Sequence, residues 1–321
     1  MNELDNLDWK ILANLDKNSR QPASKIAQKL RVHRNVVNFR IKRLLERKII
    51  RNFVTMINPL ALNLRPYKVY LQLQNFTQEK ETKLLRFLEK LPVYWAAKVS
   101  GRWDFLIGLL VKDVEELNKI KKQLLQLLGA DIINKSFSAV VDAPHYYRTY
   151  FQPKNEISAV RLWTKIKINP QLDQADLKIL HLMAQDARIP VTTLAKKTRI
   201  TVKTAIARIR KLEKTNIIFD YRLALNLDQI GYKFFKCFIS LKNSDETRIK
   251  DFLAYCQQHK NIIHVVETIG DWDFEPEIEA ESSAKFYEII AEIREKFSDI
   301  IRELETIDVI KEYSYVCLPL P

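Results

Sequence analysis

An α+β fold is predicted for this chain of 321 residues, as two successive copies of a winged helix-turn-helix followed by a ferredoxin-like βαββαβ domain. Three observations carry the prediction. Shifting the sequence by 168 residues aligns 8–50 with 176–218 without a gap, and 14 of the 43 positions are identical. Ordinary composition gives roughly three identities by chance. A second match follows at a shift of 169, where Gly101-Arg-Trp-Asp-Phe105 aligns with Gly270-Asp-Trp-Asp-Phe274. The charge alternates with the same period: residues 1–58 carry +8, 59–160 +5, 161–225 +9 and 226–321 −8, within a total of +14. Positive charge concentrated in two blocks of that length points to a polyanionic partner.

The elements follow in order. In copy one, Leu7, Ile11, Leu12 and Leu15 repeat at helical spacing and predict the first helix. Ser24 is placed to cap a short second helix carrying Ile26, Ala27 and Leu30. The third runs over 34–47 with Val37, Ile41 and Leu44 as its buried stripe, and the break at 31–33 suits a helix-turn-helix. His33 takes its N-cap position, where Ser or Thr is favoured, and its counterpart Thr201 fits that preference. Residues 49–57 then supply a wing-like strand. The second part of copy one reads strand, helix, strand, strand, helix, strand over 67–74, 79–90, 93–100, 103–111, 114–128 and 132–141. In copy two the same order falls on 232–241, 245–259, 262–269, 272–280, 283–297 and 300–316. The domains are therefore 1–58, 59–142, 173–225 and 226–321, with a linker over 143–172. Three prolines and no clear period mark that linker, and Tyr146, Tyr147, Tyr150, Phe151 and Trp163 predict that it packs against the rest.

Composition narrows the function. No stretch approaches the roughly 18 uncharged apolar residues of a membrane-spanning helix. The acidic, polar start resembles neither a secretion signal nor a transit peptide, so a soluble, cytoplasmic, nucleoid-associated protein without membrane partners is expected. Cys237, Cys256 and Cys317 are odd in number and widely spaced, which fits reduced thiols. The five glycines never come close enough to build a nucleotide-cradling loop. No HExxH occurs, and His259 and His264 have no neighbouring third ligand, so neither metal nor cofactor is expected.

The third strands of the two second parts differ. Trp103, Phe105, Ile107, Leu109 and Val111 alternate with Asp104, Leu106, Gly108 and Leu110, so beyond Asp104 both faces are apolar. Helices cover one face of such a sandwich, so the other is expected to pack on a second sheet, its sister's or another chain's, giving a homodimer or higher oligomer through the first ferredoxin-like domain. In copy two, Asp273, Glu275, Glu277 and Glu279 form a row that is costly to bury unpaired, and solvent is its expected neighbour. Pro276 marks an edge or a broken ladder.

These residues resemble the leucine-responsive (Lrp/AsnC, feast/famine) regulator family. Leu7-Asp-Trp-Lys-Ile-Leu12 and Ala175-Asp-Leu-Lys-Ile-Leu180 are similar to that family's first helix. Arg40-Ile-Lys-Arg-Leu44 with Ile49-Ile50, and Arg208-Ile-Arg-Lys-Leu-Glu213 with Ile217-Ile218, resemble its recognition helix and following strand. Gly101-x-x-Asp104 and Gly270-x-x-Asp273 sit where the family carries a Gly-x-x-Asp turn in its effector-binding and assembly domain. The resemblance implies a transcription regulator with an amino-acid-like effector near those two turns, whereas hairpin geometry alone also explains them. A typical member has one copy; this chain has two.

With Val37, Ile41 and Leu44 inward, a helical wheel puts Asn35, Phe39, Lys42 and Arg43 opposite the core, with Arg34 and Asn38 on the leading turn or flank. Asn pairs bidentately with adenine, Lys and Arg with guanine, and a Phe touches the thymine methyl. Copy two offers Lys203, Thr204, Arg210 and Lys211 with Ala207, a cationic face short of bidentate readers. Copy one is expected to discriminate bases in double-stranded DNA and copy two mostly to attract phosphate. Arg40 and Arg208 flank the stripe, where they can pair with acids of the first helix. A binding protein, not an enzyme, is expected. The alternatives are a siroheme decarboxylase on the same module and an architectural DNA-binding protein without sequence preference. The decarboxylase predicts a His-x-x-Arg cluster near the first strand of the second part, whereas here His145-Tyr-Tyr-Arg148 follows the last strand of copy one.

Overall fold

Residues 4–151, 171–242, 245–315 and 318 are described in the computed structural model. The first head holds helices α1 (Asn6–Lys17), α2 (Ala23–Leu30) and α3 (Arg34–Glu46) and strand β1 (Ile50–Ile57). The first ferredoxin-like unit follows as β2 (Arg65–Leu73), α4 (Gln78–Leu88), β3 (Val93–Ser100), β4 (Phe105–Val111), α5 (Val114–Leu128) and β5 (Ile132–Asp142). Copy two repeats the order: α6 (Gln174–Gln185), α7 (Val191–Thr198), α8 (Val202–Lys214) and β6 (Ile218–Leu225) form its head. Its second unit is β7 (Lys233–Leu241), α9 (Glu246–Gln258), β8 (Ile262–Ile269), β9 (Phe274–Ala280), α10 (Ser283–Lys296) and β10 (Ile301–Tyr315). The helix caps follow the local chemistry, with Asp5, Asp173 and Thr201 side chains accepting from backbone amides at the starts of α1, α6 and α8. The predicted Ser24 cap is corrected: the cap position falls two residues earlier on Pro22, whose fixed φ suits a helix entry without a side-chain bond.

The two heads do not stand apart. β1 is not a wing folding back on its own head. It pairs antiparallel with β6, its counterpart in the other copy, so that Val54 faces Arg222 and Asn52 faces Ala224. The apolar residues of both heads therefore merge into one core containing Ile11, Leu15, Val37 and Leu44 of copy one with Ile179, Met183, Ile209 and Leu212 of copy two. Backbone bonds cross the join in symmetric pairs, Ser19 to Tyr221 with Ala187 to Phe53, and Asn58 to Ile217 with Asn226 to Ile49. Arg20 and Arg188, one of the identities in the repeat, do the same: each guanidinium donates to carbonyls of the other head, Ala187 and Ile189 in one direction, Ser19 and Gln21 in the other.

Each ferredoxin-like unit makes a four-stranded sheet, β3-β4-β2-β5 and β8-β9-β7-β10, and the two close edge to edge through β5–β8 and β10–β3 into an eight-stranded barrel. Closure removes the free edges that invite association. Helices α4 and α5 cover one outer face over Val69, Leu84, Phe105 and Ile120, and α9 and α10 the other over Phe235, Phe252, Ile278 and Phe286. Inside lies a mixed cluster of both copies, Tyr70, Trp95, Trp103 and Leu106 with Phe238, Trp272 and Ile307. The apolar inner face of β4 thus packs on its sister sheet, as one of the two expected arrangements had it, and the expected contact between chains through that face is corrected: the chain supplies its own partner. The expectation of a solvated carboxylate row is overturned as well, because Glu275 is 0% and Glu279 2% exposed. Pro276 does break a ladder, since the β7–β9 pairing lapses between Lys236–Glu277 and Ile239–Phe274. Of the linker, residues 143–151 pack as expected, with Tyr146 and Phe151 buried, while Trp163 lies outside the described residues.

Candidate nucleic-acid interface

α3 and α8 lie on the outside of the shared head core, each burying only its stripe: Val37, Ile41 and Leu44 in one, Ala205, Ile209 and Leu212 in the other. Arg34, Asn35, Asn38, Phe39 and Lys42 are exposed on α3, as are Lys203, Arg210 and Lys211 on α8. Phe39 keeps 64% of its surface accessible, an unusual position for a large apolar ring unless something covers it. The His33 ring accepts from the Asn35 amide at 3.3 Å and so caps the start of α3. Thr201 does the same for α8 at 3.1 Å, and its hydroxyl also meets that of Thr204 at 2.8 Å, so Thr204 is half-buried and engaged. Among the described residues, Lys42 pairs only with Glu46 on its own helix, 3.7 Å away, with 76% of its side chain accessible.

Three arginines of these helices are spent inside the heads. Arg40 pairs with Asp5 and with Asp8, the latter at 3.1 Å, and Arg208 binds Asp173 and Asp176 at 2.7 Å each. The Arg40 bond holds the Asp5 carboxyl below its ordinary range, and the Asp176 amide with Arg208 does so for Asp173. Arg43, placed by the helical wheel on the outer face, instead reaches Asp8 at 2.6 Å and keeps 31% of its side chain accessible. The outer faces therefore differ as the sequence had it, Arg34, Asn35, Asn38, Phe39 and Lys42 against Lys203, Arg210 and Lys211, less Arg43.

The Gly-x-x-Asp turns sit at the two seams of the barrel. Gly101, at φ +137°, lies against β10, where a Cβ would come within 2.9 Å of Ile307; Gly270 lies against β5, where it would meet the Ser138 hydroxyl at 2.4 Å. Asp104 accepts from the Leu73 amide and Asp273 from the Leu241 amide, each at 2.7 Å. Both carboxylates thus tie their own hairpin to the neighbouring strand, which accounts for the turns by local geometry.

Comparison with known proteins returns the same outline. The AsnC-type helix-turn-helix domain matches residues 4–45 and 172–213. An uncharacterized HTH-type transcriptional regulator of Pyrococcus furiosus is 34% identical over 142 residues, which span 43% of this chain and 95% of that protein. The chain belongs to the Lrp/AsnC family of transcriptional regulators. The leucine-responsive regulatory protein of Rhizobium meliloti is 29% identical over 148 residues, 45% of this chain and 95% of that relative, so one Lrp/AsnC relative fills less than half of the duplicated chain. Among solved structures, the siroheme decarboxylase NirDL shares the fold over 98% of this chain and 94% of that chain at a TM-score of 0.64 and 12% identity.

What the sequence reading missed in this Lrp/AsnC chain is a buried ion network inside the barrel, with a clamp that ties the barrel to the first head. Glu275 accepts from Lys68 at 2.6 Å, Lys236 at 2.8 Å, the Trp272 ring at 3.0 Å and the Tyr70 hydroxyl. Burial alone would raise its carboxyl, yet the two ammonium groups overcome this and hold it at about 2. Burial prevails at Lys68, lowering it to about 8. Lys236 also reaches Glu277 at 2.9 Å, and Glu277 meets the His264 ring at 3.0 Å. A second clamp follows the end of β5: Arg148 donates to Asp16 of the first head at 2.7 Å and to Glu279 of the barrel at 2.8 Å. The signal was present in the recurrence of Lys68 and Lys236 at the 168-residue shift, two lysines at alternating strand positions that otherwise read as sheet interior.

Proposed function

We propose that this Lrp/AsnC chain is a sequence-specific DNA-binding regulator acting as a pseudo-dimer within one polypeptide, in which α3 reads bases and α8 mainly holds the phosphate backbone. The single observation that carries the reading is the pair of exposed, unequal outer helix faces on one rigid shared core, with Asn35, Asn38 and Lys42 available on α3. A symmetric dimer presents two identical faces and favours palindromic sites. This chain presents two different ones, so its operator is asymmetric, with base preference concentrated in one half-site. Its role is binding and not catalysis, and an amino-acid-like effector is a further part of the reading, as are oligomers built beyond the single chain and residence at the nucleoid.

Site selection from random duplexes tests it. Replacing Asn35 and Lys42 by Ala flattens the selected motif by about tenfold in preference, since a bidentate base contact is worth roughly 1–3 kcal/mol. Replacing Lys203 and Arg210 by Ala leaves the motif intact and lowers the slope of log affinity against log salt by about two. Equal loss of specificity from both pairs overturns the division of labour. A motif-free selection points instead to an architectural protein.

The likeness of fold to NirDL keeps a decarboxylase as the second reading. A cavity lined by His145, His264, Lys68, Arg148 and Arg222 lies between the β1–β6 ribbon and the barrel. Appearance of a bound Soret absorption on adding siroheme would favour that reading.

A further inference from the structure

Valine and isoleucine lose χ1 freedom in a helix, a cost that packing in the core repays and water does not. The heads follow this rule with Ile11, Val37 and Ile41 in copy one and Ile179 and Ile209 in copy two, all buried. Val202 and Ile206 of α8 break it, keeping 42% and 36% of their surface accessible. They lie one turn apart in the first half of the helix, Val202 directly after the Thr201 cap, and so share a flank. With Ala205, Ile209 and Leu212 inward, that flank adjoins the outer face formed by the exposed Lys203 and Arg210. The corresponding residues of α3 are Arg34 and Asn38, so the copies differ in polarity at both positions. α3 exposes its own apolar pair, Val36 and Phe39, on the other flank.

In helix-turn-helix complexes the N-terminal residues of the second helix meet the base edges. The major groove offers these residues hydrogen-bonding groups, which an aliphatic side chain cannot use, and one apolar group, the methyl on C5 of thymine. The cations beside the pair are attracted to phosphate and bring that half of α8 to the groove. We propose that Val202 and Ile206 read pyrimidine C5 methyl groups in the second half-site, those of thymine or 5-methylcytosine, while Lys203 and Arg210 hold the strand. The inference rests on the regulator reading above and names the chemical group by which the second half-site is chosen. Its size matches the inequality of the heads: burying one methyl is worth about fourfold in affinity, against about tenfold for a bidentate base contact.

The experiment titrates the full chain against its selected duplex with thymine replaced by uracil, which lacks only the methyl, in one half-site at a time. The second half-site is the one whose preference survives Asn35→Ala with Lys42→Ala. Uracil there weakens binding about fourfold for each contacted methyl. A 5-methylcytosine–guanine pair at the same position that recovers the affinity admits methylated cytosine as a source, and one that does not restricts the source to thymine. Val202→Ala with Ile206→Ala raises helix propensity at two exposed positions, so the variant should keep its fold, which thermal melting checks. In it the uracil cost vanishes from the second half-site and stays unchanged in the first. Should it fail to fold, Ile206→Asn, the residue that α3 carries there, removes the share of one methyl. Sequence-specific binding with no uracil cost in the second half-site overturns this inference alone, whereas a selection without any motif overturns the regulator reading and this inference with it. A folded double variant that retains the uracil cost overturns the inference too; if its mass in light scattering also changes, the pair serves contact between chains.

Discussion

Strands β4 and β9 hold equivalent places in their sheets, yet the 169-residue shift sets Leu106 against Glu275, Gly108 against Glu277 and Leu110 against Glu279. The neighbouring strands did not diverge with them, since Lys68 in β2 and Lys236 in β7 still correspond. Copy two alone supplies acids, and one of them, Glu275, serves the lysines of both copies. In a homodimer every acid appears twice, and a single carboxylate between two related lysines would have to lie on the symmetry axis. Fusion of two copies into one chain lifts that constraint. An interior charge can then be balanced once, off axis, and the heads can diverge in the same way, Asn35, Asn38 and Phe39 on α3 against Lys203, Ile206 and Ala207 on α8.

The sharpest break of this comparison is to give β9 the residue of β4. Glu275→Leu leaves Lys68 and Lys236 buried, with Lys68 deprived of the carboxylate that balances it. Removing one partner of a buried ion pair costs about 3–5 kcal/mol, and the midpoint of urea unfolding should fall accordingly. Adding Lys68→Met and Lys236→Met to that variant should recover most of the loss, because the penalty belongs to the unpaired charges and not to the missing acid. A Glu275→Leu chain as stable as the parent would show that the network is dispensable, and the asymmetry of β4 and β9 would need another cause.

The heads allow the opposite experiment, making the copies alike. Lys203→Asn, Ile206→Asn and Ala207→Phe give α8 the reading face of α3. The second half-site should then acquire the base preference of the first, by roughly tenfold for each bidentate base pairing that the graft introduces, and selected sites should become more palindromic. Motifs that stay asymmetric after this graft would mean that discrimination rests on something other than those side chains.

Much of this was legible because local patterns decide it. The helical stripes of α3 and α8, the βαββαβ order and the repeat itself are periodicities in residues close along the chain, and their element limits agree within a few residues. β4, apolar on both faces, announced a second covering sheet. What stayed hidden were contacts whose partners lie far apart in sequence. A strand such as 49–57 looks the same whether it closes a wing on its own head or pairs with β6. The Glu275 row resembles a solvated face until Lys68, 207 positions away, is seen opposite it. Arg43 illustrates the same limit at the interface. The helical wheel pointed it outward, but its length lets it fold back to Asp8.

The smallest expected effect concerns pH and one more cross-copy contact, the ring of His145 stacked on that of His264 with centroids 3.7 Å apart. His264 stands in β8 at the place of Trp95 in β3, so here again copy two has a titratable group where copy one is apolar. Burial holds His145 well below its ordinary value of 6.5, with His264, Arg222 and Arg148 working in the same direction and Glu277 against them. The folded chain therefore keeps this ring neutral while the unfolded chain takes up a proton near pH 6.5. Stability from this group is fully present above that pH and declines below it, by about 1 kcal/mol between pH 6.5 and 5.5. His145→Gln should remove that decline, which urea unfolding at the two pH values can read. The steeper acid loss should remain below about pH 4.5, where the unfolded chain protonates Glu275 and the folded chain, at about 2, does not. If His145→Gln leaves the slope between pH 6.5 and 5.5 unchanged, the stacked pair does not contribute to it, and the pH response of the cross-copy interface rests on the carboxylates alone.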